Sequence, residues 1–463
     1  MISELKPYPA YRDSGVRWWG QVPDHWQVLR ANRQLRVTKR MIEPRQAGGR
    51  WVLHYSIPNV QQVGTGRVEE TSSIDSQKIV VDRELLLVSK LNPRMGTMAL
   101  ARPHETLATL ASSEFVAMEP RGCFGMFALY LYASEPVRQK LSARVQSATK
   151  SHQRCAPSDI ASLRLAWPTH QEQRAIARFL NRAGRRIRRY IRAKERLIEL
   201  LEEQKQALIH QAVTGKIDVR TGRPYPDYKD SGMGWMGDMP RHWKLRKLGR
   251  VVRERGGMTP SMAVGHYWGG SVPWVTPKDM KVDAIGDSQL RVTEVALEDT
   301  SLNLVRCGAV LMVVRGMILA RSIPVAWTTK AVTINQDMKA LTPRSGLRSE
   351  FLAVALRAGQ GALLAAVEVA GHGTCRLPRG AWGNMEIPVP PVSEQDRIAQ
   401  CVRCSRVMTD EAVERARQQI ALAEELRTRL ISEVVTGKLD VRRAAPLAES
   451  EAGVEAIVEE GSA

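Results

Sequence analysis

An internal duplication constrains the fold of this chain more than any other feature of its sequence. Residues 8–26 recur 217 residues later as residues 225–243, and eleven of the nineteen positions are identical. A second segment, 213–220, recurs as 435–442. The identical positions are mainly Gly, Pro, Tyr, Trp and an Asp-Ser-Gly sequence, which fix turns and anchor aromatic packing. We therefore expect two halves built on one frame.

A long helix is predicted before each copy of the second repeat. Residues 171–212 contain no Pro, and their apolar side chains recur at steps of three and four residues, as do those of residues 393–434. This spacing is the helical period. At about 1.5 Å per residue, each helix would be about 60 Å long.

Each predicted helix has one narrow apolar stripe, and a single helix cannot bury this stripe by itself. We expect the two helices to pack on each other as an antiparallel coiled coil. Self-association of two chains through identical stripes is the alternative.

Both predicted helices carry residues that favour helix ends. Thr169 and Ser393 each stand three positions before an acidic residue, which is the spacing of an N-terminal capping box. At the other ends, Gly215 and Gly437 stand where a left-handed cap is needed.

The segments between the repeats form two bodies of unlike sequence. β-rich runs at 79–81, 85–88 and 310–314 accompany helical stretches at 137–145 and 349–358, which indicates mixed helix and sheet. The predicted fold class is α+β, with two globular domains separated by two long antiparallel coiled-coil helices in an internal pseudo-two-fold repeat.

The repeats divide the chain into seven parts. These are an N-terminal repeat segment, a first body, a first long helix, the second repeat segment, a second body, a second long helix and an acidic tail. In order they span residues 1–26, 27–165, 166–220, 221–243, 244–388, 389–442 and 443–463. The tail is rich in Ala and Glu, a composition typical of disorder.

The charge of the chain points to a polyanionic partner. Lys and Arg number 68 against 48 Asp and Glu, so the net charge is +20, and a field of this sign attracts nucleic acid. An acidic membrane is the competing partner, but no window of about 18 apolar residues and no signal-peptide pattern is found. We therefore expect a soluble cytoplasmic protein that does not associate with membranes.

The cysteines form no disulfide or metal pattern. Six scattered Cys in a chain of this size indicate reduced thiols. Cys401 and Cys404 have a metal-type spacing, and His152 and His372 each precede a Cys by three residues, but no complementary ligands follow at zinc-site distances. We expect neither a metal nor a cofactor in this chain.

Catalytic motifs are missing from the sequence. The Thr-Gly-Lys sequence ending at Lys216 lacks the Ser or Thr and the upstream Gly of a phosphate-binding loop. There is no Asn-Pro-Pro-aromatic adenine-methyltransferase motif, no glycine-rich cofactor loop ahead of one, and no evident nuclease cluster. An enzyme is the alternative to a binding protein, and methylation of DNA by the purified chain alone would establish it.

Further motifs complete the repeated pattern. Pro390-Pro-Val-Ser-Glu-Gln395 leads into the second helix. The motifs of the second body are Val272-Pro-Trp-Val-Thr-Pro-Lys-Asp279, Val314-Arg-Gly316 and Ile334-Asn-Gln-Asp337, and that of the first body is Leu91-Asn-Pro-Arg-Met-Gly96. Together with the repeats, these motifs resemble the specificity (S or HsdS) subunits of type I restriction–modification systems over nearly the whole chain. One departure is that Trp-Pro-Thr-His replaces a Pro-Pro pair before the first helix.

This resemblance implies a non-catalytic, DNA-reading subunit. Each body would be a target-recognition domain for one half of a split, asymmetric site on double-stranded DNA, and the helices would set the spacing. Two methyltransferase subunits would dock on the helices and methylate adenine at N6 with S-adenosylmethionine bound to them. Motor-nuclease subunits would complete the complex. A stand-alone DNA-binding regulator with two readers is the alternative.

Candidate base readers are Arg, Lys, Asn, Gln, Ser, Thr or His side chains within the two bodies. In the first body they are Lys90, Asn92, Arg94, Lys150, Ser151 and His152, and in the second Thr276, Lys278, Arg315, Asn335, Gln336 and Arg376. A framework or phosphate-positioning role is the alternative for each.

The first long helix carries a second candidate surface, made of arginines. They are Arg174, Arg178, Arg182, Arg185, Arg186, Arg188, Arg189 and Arg192. This surface would contact DNA phosphates or a partner subunit, and a solvated helix face is the alternative.

Tryptophans recur in the repeated frame. Trp18 and Trp26 are matched by Trp235 and Trp243, and we interpret them as packing anchors. A surface that holds the methyltransferase is the alternative.

Overall fold

The computed structural model describes residues 5–145, 153–369 and 373–442. Several sequence predictions fall outside these ranges and have no structural counterpart here, namely those on Lys150, Ser151, His152, His372 and the tail 443–463.

The chain forms two compact units, and each contains parts of both long helices. The N-terminal unit consists of Met1–Lys194 and Gln418–Ala463, and the central unit consists of Glu195–Arg417. The division therefore falls within the predicted helices rather than at their ends.

The N-terminal unit contains the first body. Its strands are β1 (Tyr11–Asp13), β2 (Gln21–Pro23), β3 (Gln27–Arg30), β4 (Leu35–Thr38), β5 (Met41–Ile42), β6 (Trp51–Tyr55), β7 (Arg67–Glu70), β8 (Lys78–Val80), β9 (Leu85–Ser89), β10 (Met98–Ala101), β11 (Ala108–Ser112), β12 (Phe115–Pro120) and β13 (Arg164–Trp167). Its helices are α1 (Ile57–Val63), α2 (Gly125–Ala133), α3 (Glu135–Ser142), α4 (Pro157–Ala161) and the start of α5 (His170–Thr214).

The central unit contains the second body. Its strands are β14 (Tyr228–Asp230), β15 (Asp238–Pro240), β16 (Lys244–Lys247), β17 (Val252–Gly256), β18 (Trp268–Val275), β19 (Ala284–Ile285), β20 (Leu290–Val292), β21 (Val310–Val313), β22 (Val325–Thr328), β23 (Thr333–Ile334), β24 (Met338–Pro343), β25 (Glu368–Val369), β26 (Cys375–Arg376) and β27 (Glu386–Val389). Its helices are α6 (Leu248–Val251), α7 (Glu294–Asp299), α8 (Ser349–Ala358), α9 (Gln360–Ala365), α10 (Arg379–Asn384) and the start of α11 (Val392–Val435).

Each of the two bodies contains a sheet with the same arrangement of strands, although their sequences differ. In the first body the strand order is β4-β12-β9-β10, and in the second it is β17-β24-β21-β22-β19. The first four strands of both orders pair antiparallel. The apolar runs that predicted strands at 85–88 and 310–314 form the buried strands β9 and β21. Each body adds a different second sheet, with orders β5-β8-β11-β6-β7 and β20-β18-β23.

The repeated frame folds in the same way in both units. Each repeat segment forms an antiparallel hairpin, β1-β2 or β14-β15. The strand that enters each body then pairs antiparallel with the strand that leaves it, β3 with β13 and β16 with β27. Each body is thus closed at its base, immediately before a long helix.

The two long helices are present, as the periodicity predicts. Gly215 and Gly437 follow them with φ of 71° and 78°, the left-handed conformation expected of these caps. Thr169 Oγ1 accepts a hydrogen bond from Glu172 N at 3.3 Å, which confirms the first cap. The prediction for Ser393 is wrong: because Pro391 ends the extended entry, α11 begins at Val392 and Ser393 lies inside it.

The helices pack antiparallel within each unit. In the N-terminal unit the core contains Leu180 of α5 and Leu430 of α11. In the central unit it contains Ile209 of α5 and Val402 of α11, and Lys205 Nζ binds Asp410 Oδ1 at 3.0 Å. The start of one helix therefore meets the end of the other, and the α+β fold with an intramolecular antiparallel helix pair is confirmed.

Candidate nucleic-acid interface

In the first body, a loop at residues 90–96 follows β9 and is held at several points. Lys90 N donates to Glu114 O, and Lys90 O accepts from Cys155 N, both at 2.9 Å. Asn92 N donates to Gln153 O at 2.8 Å, and Asn92 has a positive φ of 44°. The backbone of this first anchored loop is therefore fixed by segments distant in sequence.

In the second body, a loop at residues 314–320 follows β21 in the same sheet position. Arg315 N donates to Asp337 O at 3.2 Å, and Gly316 N donates to Cys375 O at 2.9 Å. Leu377 N donates to Val314 O at 2.8 Å. The second anchored loop is therefore held in the same way as the first. Backbone hydrogen bonds join each loop to a segment near the end of its own body.

The candidate residues of the second body lie around this loop. Arg315 and Arg376 form an antiparallel bridge, and the Asp337 carbonyl beside Asn335-Gln336 accepts from Arg315. Asn335 N in turn donates to Val275 O at 3.1 Å, next to Thr276. Candidates from widely separated parts of the sequence therefore form one cluster.

Exposure divides these candidates into two groups. Lys278, Arg315, Gln336 and Arg376 are exposed. Asn335 is 6% exposed, and its Nδ2 donates to Asp337 Oδ2 at 3.0 Å. This contact matches the internal-framework alternative for Asn335.

Thr276 also uses its polar atoms within the fold. Its Oγ1 donates to Asp279 Oδ2 at 2.8 Å, and its backbone N donates to the same oxygen. Thr276 and Asn335 are therefore suited to holding the cluster in place.

In the first body the anchored loop presents one exposed candidate. Arg94 is exposed, whereas Lys90 and Asn92 are half-buried. Asn92 Oδ1 is buried without a hydrogen-bond partner among the described residues.

Sequence reasoning missed two features of the loops. Met95 and Met317 are 60% and 68% exposed, one in each anchored loop. Arg154 bridges to Leu91 in the way that Arg376 bridges to Arg315. The available signal was an Arg beside each Cys near the end of each body.

The N-terminal repeat segment is joined to α5 through a buried carboxylate, Glu172. Tyr8 Oη donates to its Oε1 at 2.7 Å, Trp26 Nε1 donates to the same oxygen at 3.2 Å, and His25 Nε2 lies 2.9 Å from Oε2. Burial, together with the hydrogen bond to Glu172, raises the pKa of Tyr8 above its ordinary value, so the phenol remains a donor.

The second repeat segment has the same junction at Glu394. Tyr225 Oη and Trp243 Nε1 donate to Oε2 at 3.0 and 2.8 Å, and His242 Nε2 lies 2.8 Å from Oε1. Burial also raises the pKa of Tyr225, and the charge of Glu394 adds to the effect. The repeated aromatic segments thus bind the start of the long helix that follows their own body.

Each aromatic segment also covers the end of the other long helix. Tyr228 Oη donates to the Gly215 carbonyl at 3.1 Å, and Tyr11 Oη donates to the Gly437 carbonyl at 3.0 Å. Trp26 and Trp243 are fully buried, which confirms them as packing anchors.

The neighbouring glutamines fasten the bodies to the helix starts. Gln173 Oε1 accepts from Phe124 N at 2.7 Å, and Gln395 Oε1 accepts from Arg348 N at 2.8 Å. The repeated Glu-Gln pair therefore serves as a junction between body and helix.

Similarity to known proteins agrees with this architecture. Residues 240–403 match the model of the type I restriction modification DNA specificity domain. The chain is 28% identical over 214 residues to the specificity subunit of the type I restriction enzyme EcoR124I/EcoR124II of Escherichia coli, a match that covers 46% of this chain and 52% of that subunit. The chain is therefore similar to type I specificity subunits over these matched residues. The match spans about half the length of that relative.

Solved structures of type I systems share the fold. A chain from a study of complex assembly and conformational transition of a type I system matches with a TM-score of 0.71 and 17% identity, over 90% of this chain and 99% of that chain. The HsdS subunit of Thermoanaerobacter tengcongensis matches with a TM-score of 0.56 and 17% identity, over 90% and 98%. At this identity, the likeness concerns the specificity-subunit fold.

The arginines of α5 are mostly exposed. Arg178, Arg185, Arg186 and Arg189 are exposed and form no ion pair among the described residues. Arg174 lies over the ring of Phe124, 5.6 Å from its centre.

Arg188 has a pKa below that of an ordinary arginine side chain. Burial, and then the like charge of Arg427, lower its pKa from the ordinary value. Arg182 is half-buried and Arg192 is exposed, and neither forms an ion pair among the described residues.

Metal and membrane sites do not emerge from the described part of this specificity-subunit fold. Within residues 5–145, 153–369 and 373–442, His, Cys, Asp and Glu form no group of three that could hold a metal. In the same ranges no helix has the length and hydropathy needed to cross a bilayer.

Proposed function

We propose that this protein is the DNA-reading subunit of a type I restriction–modification complex and has no catalytic site of its own. The observation that carries the proposal is the pair of unlike bodies built on one repeated frame. Each body has the same antiparallel sheet and an anchored basic loop. Two different readers on equivalent supports suit an asymmetric, two-part site on double-stranded DNA. The matched domain at 240–403 supports the same function.

We assign base reading to the exposed members of the two loop clusters. In the second body these are Lys278, Arg315, Gln336 and Arg376, and in the first body Arg94. The candidates Lys150, Ser151 and His152 lie outside the described residues and are proposed as base readers from the sequence alone. Arg and Gln side chains can form paired hydrogen bonds with guanine and adenine in the major groove. Thr276, Asn335, Lys90 and Asn92 then position the loops.

The long helices take two roles in this proposal. They set the distance between the two half-sites, and they dock two methyltransferase subunits, which carry S-adenosylmethionine and methylate adenine at N6. Motor-nuclease subunits join for cleavage. Adenine methylation requires a flipped base and a bound methyl donor, and these subunits would supply both.

A half-site test addresses the proposal directly. The chain is mixed with a type I methyltransferase subunit from the same organism, and the bound sequence is obtained by selection from random DNA. Arg315→Ala with Gln336→Ala should relax the preference in one half-site by about 1–3 kcal/mol per lost paired contact and leave the other unchanged. Arg94→Ala should affect the opposite half-site.

The control is Arg253→Ala, an exposed arginine of β17 outside the loop cluster. We expect it to leave both preferences unchanged. Equal relaxation of both half-sites by the loop variants would contradict the two-reader assignment. Tight, specific binding by the chain without any partner would indicate the stand-alone regulator instead.

A further inference from the structure

The most exposed apolar side chains of the described chain are concentrated around the two anchored loops. Among the described residues, six large apolar side chains are at least 60% exposed, namely Met95, Met262, Met317, Val369, Met408 and Leu422. Met95 and Met317 belong to the anchored loops themselves, whereas Met408 and Leu422 lie on α11. Single exposed apolar side chains are common on protein surfaces, but several of them grouped together indicate a binding surface.

The two remaining side chains lie in segments that are joined to the reading cluster of the second body. Val369 pairs with Cys375, whose carbonyl accepts a hydrogen bond from the backbone of the second anchored loop. Met262 lies in the segment after β17, in which Thr259 Oγ1 donates to Oε1 of the exposed candidate Gln336. Four of the six most exposed apolar side chains therefore lie in the anchored loops or in segments bonded to them.

The backbone that carries each loop methionine is fixed. In the first anchored loop, Met95 N donates to Asn92 O at 2.8 Å within a short 3-10 turn. In the second, a 3-10 turn begins at Met317, and Leu319 N donates to Gly316 O at 3.1 Å. Because the backbone is already ordered, binding through these methionines restricts only their side chains.

Packing of the turns does not require the methionines. The side chains that the two turns bury are Pro93 and Leu319. An exposed arginine precedes each methionine, Arg94 by one position and Arg315 by two. An apolar group beside a positive charge suits a partner that has an apolar point on a negatively charged polymer. Duplex DNA is such a partner, since thymine presents a methyl group in the major groove.

We propose that Met95 and Met317 read the 5-methyl group of a thymine, each in the half-site of its own body. The arginine of the same loop, Arg94 or Arg315, binds a guanine one or two base pairs away. Base pairs are about 3.4 Å apart along the duplex and consecutive Cα atoms about 3.8 Å, so neighbouring side chains of one loop can reach neighbouring base pairs. This inference rests on the proposed function and adds to it the chemical group that each loop recognises.

The chemistry of the groove favours a thymine methyl group as the contact. It is the apolar group that base edges present in the major groove, where arginine also forms its paired contact with guanine. Apolar side chains that wedge between base steps do so from the minor groove. The methionine side chain is unbranched and polarizable, and can therefore adapt its shape to a methyl group.

The test replaces thymine with uracil, which removes only the 5-methyl group. Each thymine of the site selected by the complex of the chain and the methyltransferase subunit is replaced in turn, and the affinity is measured. In each half-site, replacement of one thymine within two base pairs of a guanine should lower the affinity about fourfold, because burial of one methyl group contributes about 0.8 kcal/mol. Thymines beyond the reach of the loops should tolerate the replacement.

Variants assign each uracil effect to one side chain. Met95→Ala should abolish the effect in one half-site and keep it in the other, and Met317→Ala should do the reverse. Met95→Leu and Met317→Leu keep an apolar side chain, so both effects should remain. The control is Met408→Ala, which removes a similarly exposed methionine of α11 and should leave both effects unchanged.

Each outcome supports or overturns the proposal. Equal affinity for thymine and uracil DNA in the wild type overturns methyl reading and leaves the proposed function intact, as does a selected half-site with no thymine within two base pairs of a guanine. If the alanine variants keep both uracil effects, other side chains read the methyl groups and the proposal is wrong. If the complex selects no specific sequence at all, the proposed function itself fails.

Discussion

Glu172 and Glu394 occupy the same position in the two halves, and they differ in burial. The side chain of Glu172 is 4% exposed and that of Glu394 is 21% exposed. Both carboxylates bind a Tyr, a Trp and a His side chain of the repeated segment. A buried acceptor with several donors is expensive to replace, because each donor left unpaired also loses its contact with water.

We expect Glu172→Gln to cost more stability than Glu394→Gln. An amide keeps one acceptor and turns a donor group towards other donors, so the expected losses are about 2–3 kcal/mol at Glu172 and about 1 kcal/mol at the more exposed Glu394. The measurement is urea denaturation of each variant. Glu195→Gln, on the exposed face of α5, is the control and should have almost no effect. Equal losses at the two glutamates would contradict this ranking.

At the scale of elements, the turn that ends each long helix is packed against the aromatic segment of the other repeat. A Cβ at Gly437 would overlap the ring of Pro23, and one at Gly215 would overlap that of Pro240. Both glycines also have a positive φ. The end of each helix is therefore specified by backbone conformation and by close approach together.

Gly437→Ala should destabilise the N-terminal unit by roughly 3 kcal/mol. Left-handed backbone conformation alone costs a non-Gly residue about 1–2 kcal/mol, and the overlap with Pro23 adds to this. Gly222→Ala separates the two effects, because Gly222 has a φ of 68° with open space around its would-be Cβ. Its cost should be about 1–2 kcal/mol. Hydrogen exchange of the amides around Trp26 measures the local effect. If Gly437→Ala lowers the free energy of unfolding no more than Gly222→Ala does, the contact between residue 437 and Pro23 is loose.

The elements that sequence reasoning predicted are those with a local cause. The period of the apolar side chains fixed α5 and α11, and the glycines marked where they end. The Ser393 cap failed because a Pro-Pro entry and a capping box compete over adjacent residues, and Pro391 decides the start of α11.

Features that depend on pairing between distant segments of the chain could not be predicted from the sequence. The sheet type common to both bodies joins β9 to β12 in the first body and β21 to β24 in the second, and these strands are largely apolar without being similar in sequence. The cluster of Arg315, Gln336 and Arg376 is likewise created by backbone pairing of three separate segments. Its residue types could be guessed as DNA readers, but their common location could not.

At the scale of the whole molecule, the beginning and the end of the described chain fold together. Lys6 bridges to Asp440, Tyr11 Oη binds the Gly437 carbonyl, and the guanidinium of Arg442 lies 4.9 Å from the centre of the Tyr8 ring. Because the second aromatic segment binds the end of α5 in the same way, both junctions of the frame are complete. The N-terminal unit therefore needs residues from the far end of the sequence for its core.

This closure predicts a sharp difference between two truncations. A chain that ends at residue 442 keeps all the described contacts of the closure, whereas one that ends at 435 loses the Gly437 turn and the buried side chain of Val441. Removing one buried Val and several hydrogen bonds should cost about 3–5 kcal/mol. The shorter chain should show earlier unfolding of the N-terminal unit alone, detected as faster hydrogen exchange in β3 and β13, while β16 and β27 keep their protection. Since the central unit has its own complete junction at Glu394 and Gly215, equal loss of protection in both units would mean that they unfold as one cooperative body. Unchanged protection in the N-terminal unit would mean that the junction with residues 436–442 contributes little to its stability.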